Sequence, residues 1–221
     1  MSYTVIGSPI SPFVRKVMLA LNEKGVSYEH QDANPFAPPD GFREISPLGR
    51  IPAFRHDDRV INDSSVICRY VDRLERKIPL YPDDPYASAR AEWIEEYSDG
   101  GMVPVAGPKL FLPRVLGPLL GRPPADENEI KKVVEEELPR YFDYLESQLG
   151  DGGYFVGNAL SIADVSVAAA FGNIRLAGVN PDKKRQPKLH AFIKRMHGRD
   201  TFKKIMDPVM GLVGKLWKEM D

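Results

Sequence analysis

Strand-like patterns are confined to the first third of this chain, and this asymmetry limits the folds that are open to it. Four short strands are predicted, at 3–6, 26–31, 51–55 and 59–62. Two amphipathic helices are predicted among them, at 12–24 and 64–76, and a proline-rich loop with at most one turn of helix fills 34–45. The order β-α-β, loop, β-β-α predicts a small α/β unit.

Beyond the proline-rich linker at 78–85, the patterns favour helices only. These helices are predicted at 86–99, 127–149, 161–177, 187–197 and 203–220, with Pro139 inside the second and a break at Pro208 in the last. Six prolines between 101 and 124 predict an irregular loop there rather than a clean helix pair. Two domains are therefore expected, an α/β domain at 1–80 and an all-helical domain at 86–221.

Charge and cysteine content exclude several classes of function. The formal net charge is −1, so no global field attracts nucleic acid or an anionic membrane. The single cysteine, Cys68, excludes an intramolecular disulfide framework and an all-cysteine metal site, and suits a reducing compartment. Neither a secretion signal nor a membrane-length apolar run is visible, so a cytoplasmic protein without nucleic-acid or membrane partners and without a metal is expected.

Ser11 is the first candidate for chemistry. It follows the first predicted strand and a Gly-Ser-Pro turn, and it directly precedes Pro12 at the start of a helix. A serine there is a good helix N-cap, and the unpaired N–H groups of the same helix end favour an anion such as a thiolate. The sequence alone leaves both roles open, and Ser8 in the preceding turn is a competing hydroxyl.

Four motifs resemble those of the cytosolic glutathione S-transferase family, in the same order and with the same spacing. They are Ser11-Pro12-Phe13, Pro47-Leu48-Gly49-Arg50-Ile51-Pro52-Ala53, Asp63-Ser64-Ser65-Val66-Ile67 and Ser161-Ile162-Ala163-Asp164-Val165. The resemblance implies a thioredoxin-like N-terminal domain followed by the family's all-helical C-terminal domain. It also implies glutathione as co-substrate, without a metal, and a homodimer.

The resemblance also implies roles for the matching residues. Ser11 would hold the glutathione sulfur as a thiolate, since serine at this position favours conjugation or isomerisation over a redox role. Ile51, before a cis Pro52, would pair with the cysteinyl backbone, and Arg50 would contact the glycyl carboxylate. At the γ-glutamyl end, Ser64 would bind the carboxylate, and Asp63, where most members have glutamate, would meet the ammonium group.

A hydrophobic electrophile is the second substrate that the resemblance implies. The candidate lining residues are Ile10, Phe13, Met102, Val103, Lys109, Phe111, Leu112 and Trp217, the last closing over the site from the C-terminus. Each of them is as well suited to a domain core or a dimer interface. Cys68 and Trp93 are expected to be packing residues, and Ser161 with Asp164 a helix capping box.

Three other functions stay open beside conjugation. A glutathione-dependent isomerase would keep the serine, although the family's isomerases carry a second serine or cysteine shortly after it, which this chain lacks. A peroxidase activity needs no further residues. A non-catalytic binding module is disfavoured because Ser11, Pro52, Asp63 and Ser64 are all present.

Overall fold

The computed structural model describes residues 2–34 and 37–220, so positions 35 and 36 near the start of the predicted 34–45 loop, position 1 of the predicted α/β domain and position 221 of the predicted helical domain lie outside the description. Four short strands form one mixed sheet. They are β1 (Tyr3–Ile6), β2 (Glu29–Gln31), β3 (Ala53–His56) and β4 (Arg59–Asn62). The sheet order is β2-β1-β3-β4, with β1 parallel to β2 and antiparallel to β3.

Helices make up most of the remainder. The α-helices are α1 (Pro12–Lys24), α2 (Phe42–Ile45), α3 (Ser64–Leu74), α4 (Pro85–Glu96), α5 (Val103–Ala106), α6 (Gly117–Leu119), α7 (Glu127–Lys132), α8 (Pro139–Gln148), α9 (Ile162–Leu176), α10 (Pro187–His197) and α11 (Asp200–Val213). The α1 helix packs against α3 on one side and against α9 on the other, so it joins the sheet to the helical region.

The prediction of an irregular loop at 101–124 is wrong for the part from 101 to 119. Wide π-helical turns at Tyr97–Met102 and Gly107–Leu116 alternate with α5 and α6, so the chain stays helical to Leu119. In a π turn the N–H bonds five residues back, as Gly117 does to the Leu112 carbonyl. These wide turns accommodate the prolines, which remove ordinary α-helical bonds without ending the helix.

Pro208 and Pro139 affect their helices in different ways. The predicted break at Pro208 is absent, because α11 runs from Asp200 through Pro208 on its exposed face and ends at Val213. Pro139, by contrast, coincides with a π-helical turn at Val133–Glu137 that separates α7 from α8. Proline has no N–H, so the carbonyl four residues before it loses its helical hydrogen-bond partner. On a solvated helix face, that carbonyl can bond water instead.

The expected strand at 26–31 is shorter than predicted. The Val26 N–H bonds the Leu21 carbonyl and so finishes the end of α1, which leaves only Glu29–Gln31 to pair with β1. The single helical turn within 34–45 is present as α2.

The predicted capping box begins α9, the most deeply buried helix. The Ser161 N–H and hydroxyl both donate to the Asp164 carboxylate at 2.8 Å, and every residue of α9 is buried. In the described part of the chain, no helix is long and apolar enough to cross a bilayer. Within those same residues, no three His, Cys, Asp or Glu side chains cluster as metal ligands would.

Cys68 is buried as predicted, but Trp93 is not an interior packing residue. Trp93 is 47% exposed on α4. Its indole N–H donates to the Tyr144 hydroxyl at 2.6 Å, which holds the ring across the surface instead of in the core.

His197 is expected to make stability depend on pH. Its Nε2–H donates to the Ala168 carbonyl at 2.9 Å and its Nδ1 accepts from Arg175 at 2.8 Å, which specifies a neutral ring. Burial, with the Arg175 charge beside it, lowers the pKa of His197 well below 6.5. Below about pH 6.5 the unfolded chain therefore binds a proton that the folded protein does not, and stability falls as pH falls by up to about 1.4 kcal/mol per unit.

Urea unfolding of the native protein and of His197→Asn, above and below pH 6.5, measures this effect. The native protein should lose more stability on acidification than the variant does. Equal losses in the two proteins would contradict the assignment of His197 as a buried neutral group.

Candidate active site

A cleft of about 340 Å³ lies between the loop before β3 and the start of α3. All five residues predicted to bind glutathione line it, namely Arg50, Ile51, Pro52, Asp63 and Ser64. The Ile51–Pro52 peptide bond is cis, as expected. The fold therefore brings together two motifs that are separated in sequence by β3 and β4.

Asp63 is built to present a carboxylate at the end of this cleft. It is the N-cap of α3, and its Oδ1 accepts from the N–H groups of Ser65 at 3.0 Å and Val66 at 3.2 Å. Within the described residues, Oδ2 has no hydrogen-bond partner. Its φ of 72° is rare for a residue other than glycine, and such strain concentrates at functional sites. The geometry leaves one carboxylate oxygen available to a cationic group.

Two lining residues were missed by the sequence reasoning. Ser46 clamps the loop before β3, because its hydroxyl donates to the Arg50 carbonyl at 2.7 Å and accepts from the Arg50 N–H at 3.1 Å. Asn62 donates from Nδ2 to the Ile45 carbonyl at 3.0 Å, while its buried Oδ1 has no partner. Neither side chain belongs to a spacing pattern, so only their neighbours in the fold identify them.

Ser11 lies at the N-terminus of α1, where its side chain accepts weakly from the Val14 N–H at 3.5 Å. This contact leaves the hydroxyl hydrogen free to donate to a sulfur atom. The turn before it depends on Gly7, whose φ is 144° and where an added Cβ would lie 2.7 Å from Val14 and 2.9 Å from Ile51. Gly7 thus allows the Ser11 loop to approach Ile51 closely.

Arg15 supplies a positive charge behind the Ser11 loop, and the sequence analysis did not single it out. It is fully buried, and its Nη2 donates to the carbonyls of Pro9 at 3.1 Å and Ile10 at 3.3 Å. Its Nη1 donates to the Ala169 carbonyl and to Asn173 Oδ1, so no carboxylate neutralises it in the described residues. Burial lowers the pKa of Arg15 to about 9, which still leaves it charged at neutral pH. Such a charge favours an anion at the loop.

A second, larger cavity of about 750 Å³ adjoins the cleft, and Phe13, Arg50 and Ile51 line both. Ser11 and its competitor Ser8 both line the larger one. Five of the eight residues predicted to contact an electrophile are there, namely Ile10, Phe13, Val103, Phe111 and Leu112. Further apolar lining, which the sequence did not predict, comes from Leu116, Leu119, Leu120, Ala170 and Leu212.

The other three predicted electrophile contacts do not line this cavity. Met102 is completely buried, because the π turn directs it into the core. Lys109 points to the surface and pairs with Glu137 at 2.6 Å. Trp217 lies under Arg175, whose guanidinium carbon is 3.8 Å from the ring centre, and α11 contributes Leu212 to the cavity instead.

A mixed four-stranded sheet with a cis-proline loop, followed by a helical region, is typical of thioredoxin-like proteins with a helical second domain. The model of the glutathione S-transferase N-terminal domain matches residues 5–79, and that of the C-terminal domain matches residues 119–206. The chain therefore belongs to the glutathione S-transferase family, and the predicted fold class is confirmed.

Relatives and solved structures agree with this membership. The chain is 28% identical over 211 residues to the uncharacterized GST-like protein YibF of Escherichia coli (strain K12), covering 92% of this chain and 98% of that protein. It is 26% identical over 210 residues to glutathione S-transferase U7 of Arabidopsis thaliana, covering 92% and 86%. The structure of FzlA from C. crescentus superposes with a TM-score of 0.85 at 24% identity, covering 94% and 92%, which is a likeness of fold.

Proposed function

We propose that this protein is a glutathione transferase that joins the glutathione thiolate to a hydrophobic electrophile. The observation that carries the proposal is the junction of the two cavities. A cleft with a free carboxylate oxygen at Asp63 shares Phe13, Arg50 and Ile51 with an apolar cavity that Ser11 lines. A tripeptide in the cleft would therefore present its thiol to a molecule in the cavity.

Some of these residues would bind glutathione, and others would activate its thiol. Ile51 would bond the cysteinyl backbone as an added strand does, and Ser64 and Asp63 would hold the γ-glutamyl carboxylate and ammonium group. Ser11 would donate its hydroxyl hydrogen to the sulfur, and the Arg15 charge would favour the thiolate further. Together these residues would hold the glutathione thiolate, as an activated nucleophile, beside the electrophile.

The assembly and the location of the protein are proposed on separate grounds. Val66 on α3 and Trp93 and Tyr86 on α4 are exposed apolar side chains, and Arg69 on α3 forms an ion pair with Glu92 on α4. A face with both apolar and mixed charged groups suits a homodimer. A cytoplasmic location is proposed because the single cysteine is a buried free thiol.

The composition of the larger cavity favours conjugation over the isomerase and the non-catalytic module. Among the described residues that line it, Arg50 is the one cationic side chain, so a doubly anionic isomerase substrate would find little compensation. A pure binding module would not need an apolar cavity of this size beside a peptide cleft. No observation favours a peroxidase specifically.

The function is tested with the native protein, glutathione and benzyl chloride. Mass spectrometry should detect the thioether, and the ultraviolet thiolate absorbance of bound glutathione should appear at a lower pH than that of free glutathione. Failure to bind glutathione would refute the proposal. Binding without thioether formation from any hydrophobic electrophile would favour the non-catalytic module.

Asp63→Asn separates the binding role of Asp63 from its capping role. The amide oxygen can still accept from Ser65 and Val66, but an amide NH2 replaces the oxygen that would meet the ammonium group. We expect KM for glutathione to rise about 10- to 100-fold, the range for a lost bond to a charged group. Thermal stability should change little.

Asp63→Ala is the matched control for this effect. It removes both the charge and the cap, so it should also lower the free energy of unfolding by about 1 kcal/mol. If Asp63→Asn left KM unchanged, Asp63 would be a structural cap only.

A further inference from the structure

We propose that a cavity beside the C-terminal segment binds a small organic acid, whose carboxylate pairs with Arg175. This C-terminal cavity has a volume of about 390 Å³ and lies between α10, α11 and the segment 217–220. Among the described residues, none that lines it also lines the cleft at Asp63 or the larger cavity near Ser11. Binding there would therefore be independent of the proposed transferase activity.

Arg175 is a buried cation that no carboxylate neutralises in the described part of the chain. It is 3% exposed at the end of α9, and it lines the C-terminal cavity. Its Nε donates to Asn180 Oδ1 at 3.0 Å, and its Nη2 donates to the Lys218 carbonyl at 3.0 Å. Its Nη1 donates to Nδ1 of the neutral His197 ring at 2.8 Å. All three partners are uncharged, so the positive charge remains uncompensated.

The hydrogen bonds of Arg175 leave two donors for a ligand. A guanidinium has five N–H groups, and the three bonds use one on each nitrogen. One N–H therefore remains on Nη1 and one on Nη2, and two such groups suit the two oxygens of a carboxylate. Burial lowers the pKa of Arg175 to about 10, against an opposing effect of Glu219, so the group stays charged at neutral pH. An anion that compensates a buried charge is stabilised there.

The charges around the C-terminal cavity favour a ligand with a single negative charge. The other charged lining residues are exposed and carry two charges of each sign, at Lys194, Lys203, Asp207 and Glu219. Because these four charges cancel, Arg175 determines the net charge of the lining. A phosphate monoester would bring a second negative charge without a partner, whereas a monocarboxylate balances the guanidinium.

The remaining walls suit a compact apolar body. His197 and Phe202 stack with ring centres 3.9 Å apart, and the Trp217 ring centre lies 3.8 Å from the guanidinium carbon of Arg175. Three methionines complete the apolar lining, namely Met206, Met210 and Met220. Aromatic faces and adaptable thioethers both favour an aromatic ring, and the volume is in the range for a small molecule. The favoured ligand class is therefore an arylalkanoic acid.

The test titrates the protein with 3-phenylpropanoate and with 3-phenylpropanamide, a neutral probe of similar shape. In a Trp93→Phe protein, fluorescence reports on the C-terminal cavity, because the chain has two tryptophans and the other, Trp217, lines that cavity. We expect the carboxylate to change this fluorescence and the amide to bind about 10- to 100-fold more weakly, as for a lost bond to a charged group. Saturating S-benzylglutathione should not displace the carboxylate, because it would occupy the cleft and the larger cavity.

Two variants test the charge. Arg175→Gln removes the cation, so the affinity for the carboxylate should fall to that for the amide. Lys203→Glu changes an exposed side chain and leaves the core intact. It should weaken carboxylate binding about 3- to 10-fold, since it reverses one exposed charge, and leave amide binding unchanged.

Equal affinities of the native protein for the two probes would overturn the proposal, as would no binding of the carboxylate at about 10 mM. Displacement by S-benzylglutathione would assign the acid to the larger cavity and overturn it as well. So would an Arg175→Gln protein that keeps the native affinity for the carboxylate. None of these measurements uses conjugation, so a protein without transferase activity could still confirm the C-terminal site.

Discussion

Ser11→Ala should lower kcat for conjugation about 100-fold, the effect of removing one donor aimed at a developing or stabilised anion. In the native protein the Ser11 hydroxyl only weakly accepts from Val14, so its hydrogen remains available to the glutathione sulfur. Without this donor the pKa of the bound thiol should rise by about 1 to 2 units, since each unit corresponds to about 1.4 kcal/mol between the thiol and the thiolate.

Measuring kcat together with the thiolate absorbance of bound glutathione over a pH series checks both expectations. Ser8→Ala is the matched control, because Ser8 lines the same cavity and also carries a hydroxyl. If Ser8→Ala raises the thiol pKa and Ser11→Ala does not, Ser8 is the activating group. If neither variant changes it, the thiolate owes its stability to the Arg15 charge and the α1 N-terminus.

Lys16→Met should lower the free energy of unfolding by about 3 to 5 kcal/mol, the usual loss when one partner of a buried ion pair is removed. Lys16 is fully buried on α1, and its Nζ donates to Glu95 at 2.8 Å, Asp99 at 2.5 Å and Ser65 at 2.9 Å. Burial alone would lower the pKa of Lys16, but Asp99 and Glu95 outweigh it and raise that pKa above its usual value. The ammonium group therefore links α1 to α3 and α4.

A triple variant separates the charge effect from packing. Combining Lys16→Met with Glu95→Gln and Asp99→Asn removes the stranded carboxylates, and the amide oxygen introduced at position 99 can still accept from Ser166, as Asp99 does at 2.8 Å. Urea unfolding should show that the triple variant is more stable than Lys16→Met alone. A loss below about 1 kcal/mol in Lys16→Met would show that the ion pairs contribute little.

Local sequence patterns predicted most elements of the sheet, and the resemblance supplied residues that line one cleft of the structure. Capping residues are local, so Ser11 before α1 and the Ser161–Asp164 box before α9 were recognisable from spacing alone. The resemblance added the cis bond before Pro52, which propensity does not reveal. The capping residues bond backbone groups only a few positions away, so local sequence is enough to identify them.

The lining of the larger cavity was predicted less well because its walls come from distant segments. The irregular loop expected near Pro108 and Pro113 is helical, since π turns absorb the missing donors, and this changes which side chains face inward. Met102 consequently points into the core, and Lys109 points to the surface. Leu212 on α11 also lines the cavity. It is an exposed apolar residue of that helix, and nothing in the local sequence links it to the cavity.

The sequence by itself determined the β-α-β, β-β-α order, the helical remainder and the caps at Ser11 and Ser161, because these follow from periodicity and local backbone chemistry. Only the tertiary structure decided the partners of Arg15 and Lys16. Arg15 meets Asn173 158 positions away, and Lys16 meets Asp99 83 positions away. The packing of α1 against α4 and α9 determines which groups lie within hydrogen-bonding distance of these two buried charges. Local sequence patterns do not predict that packing.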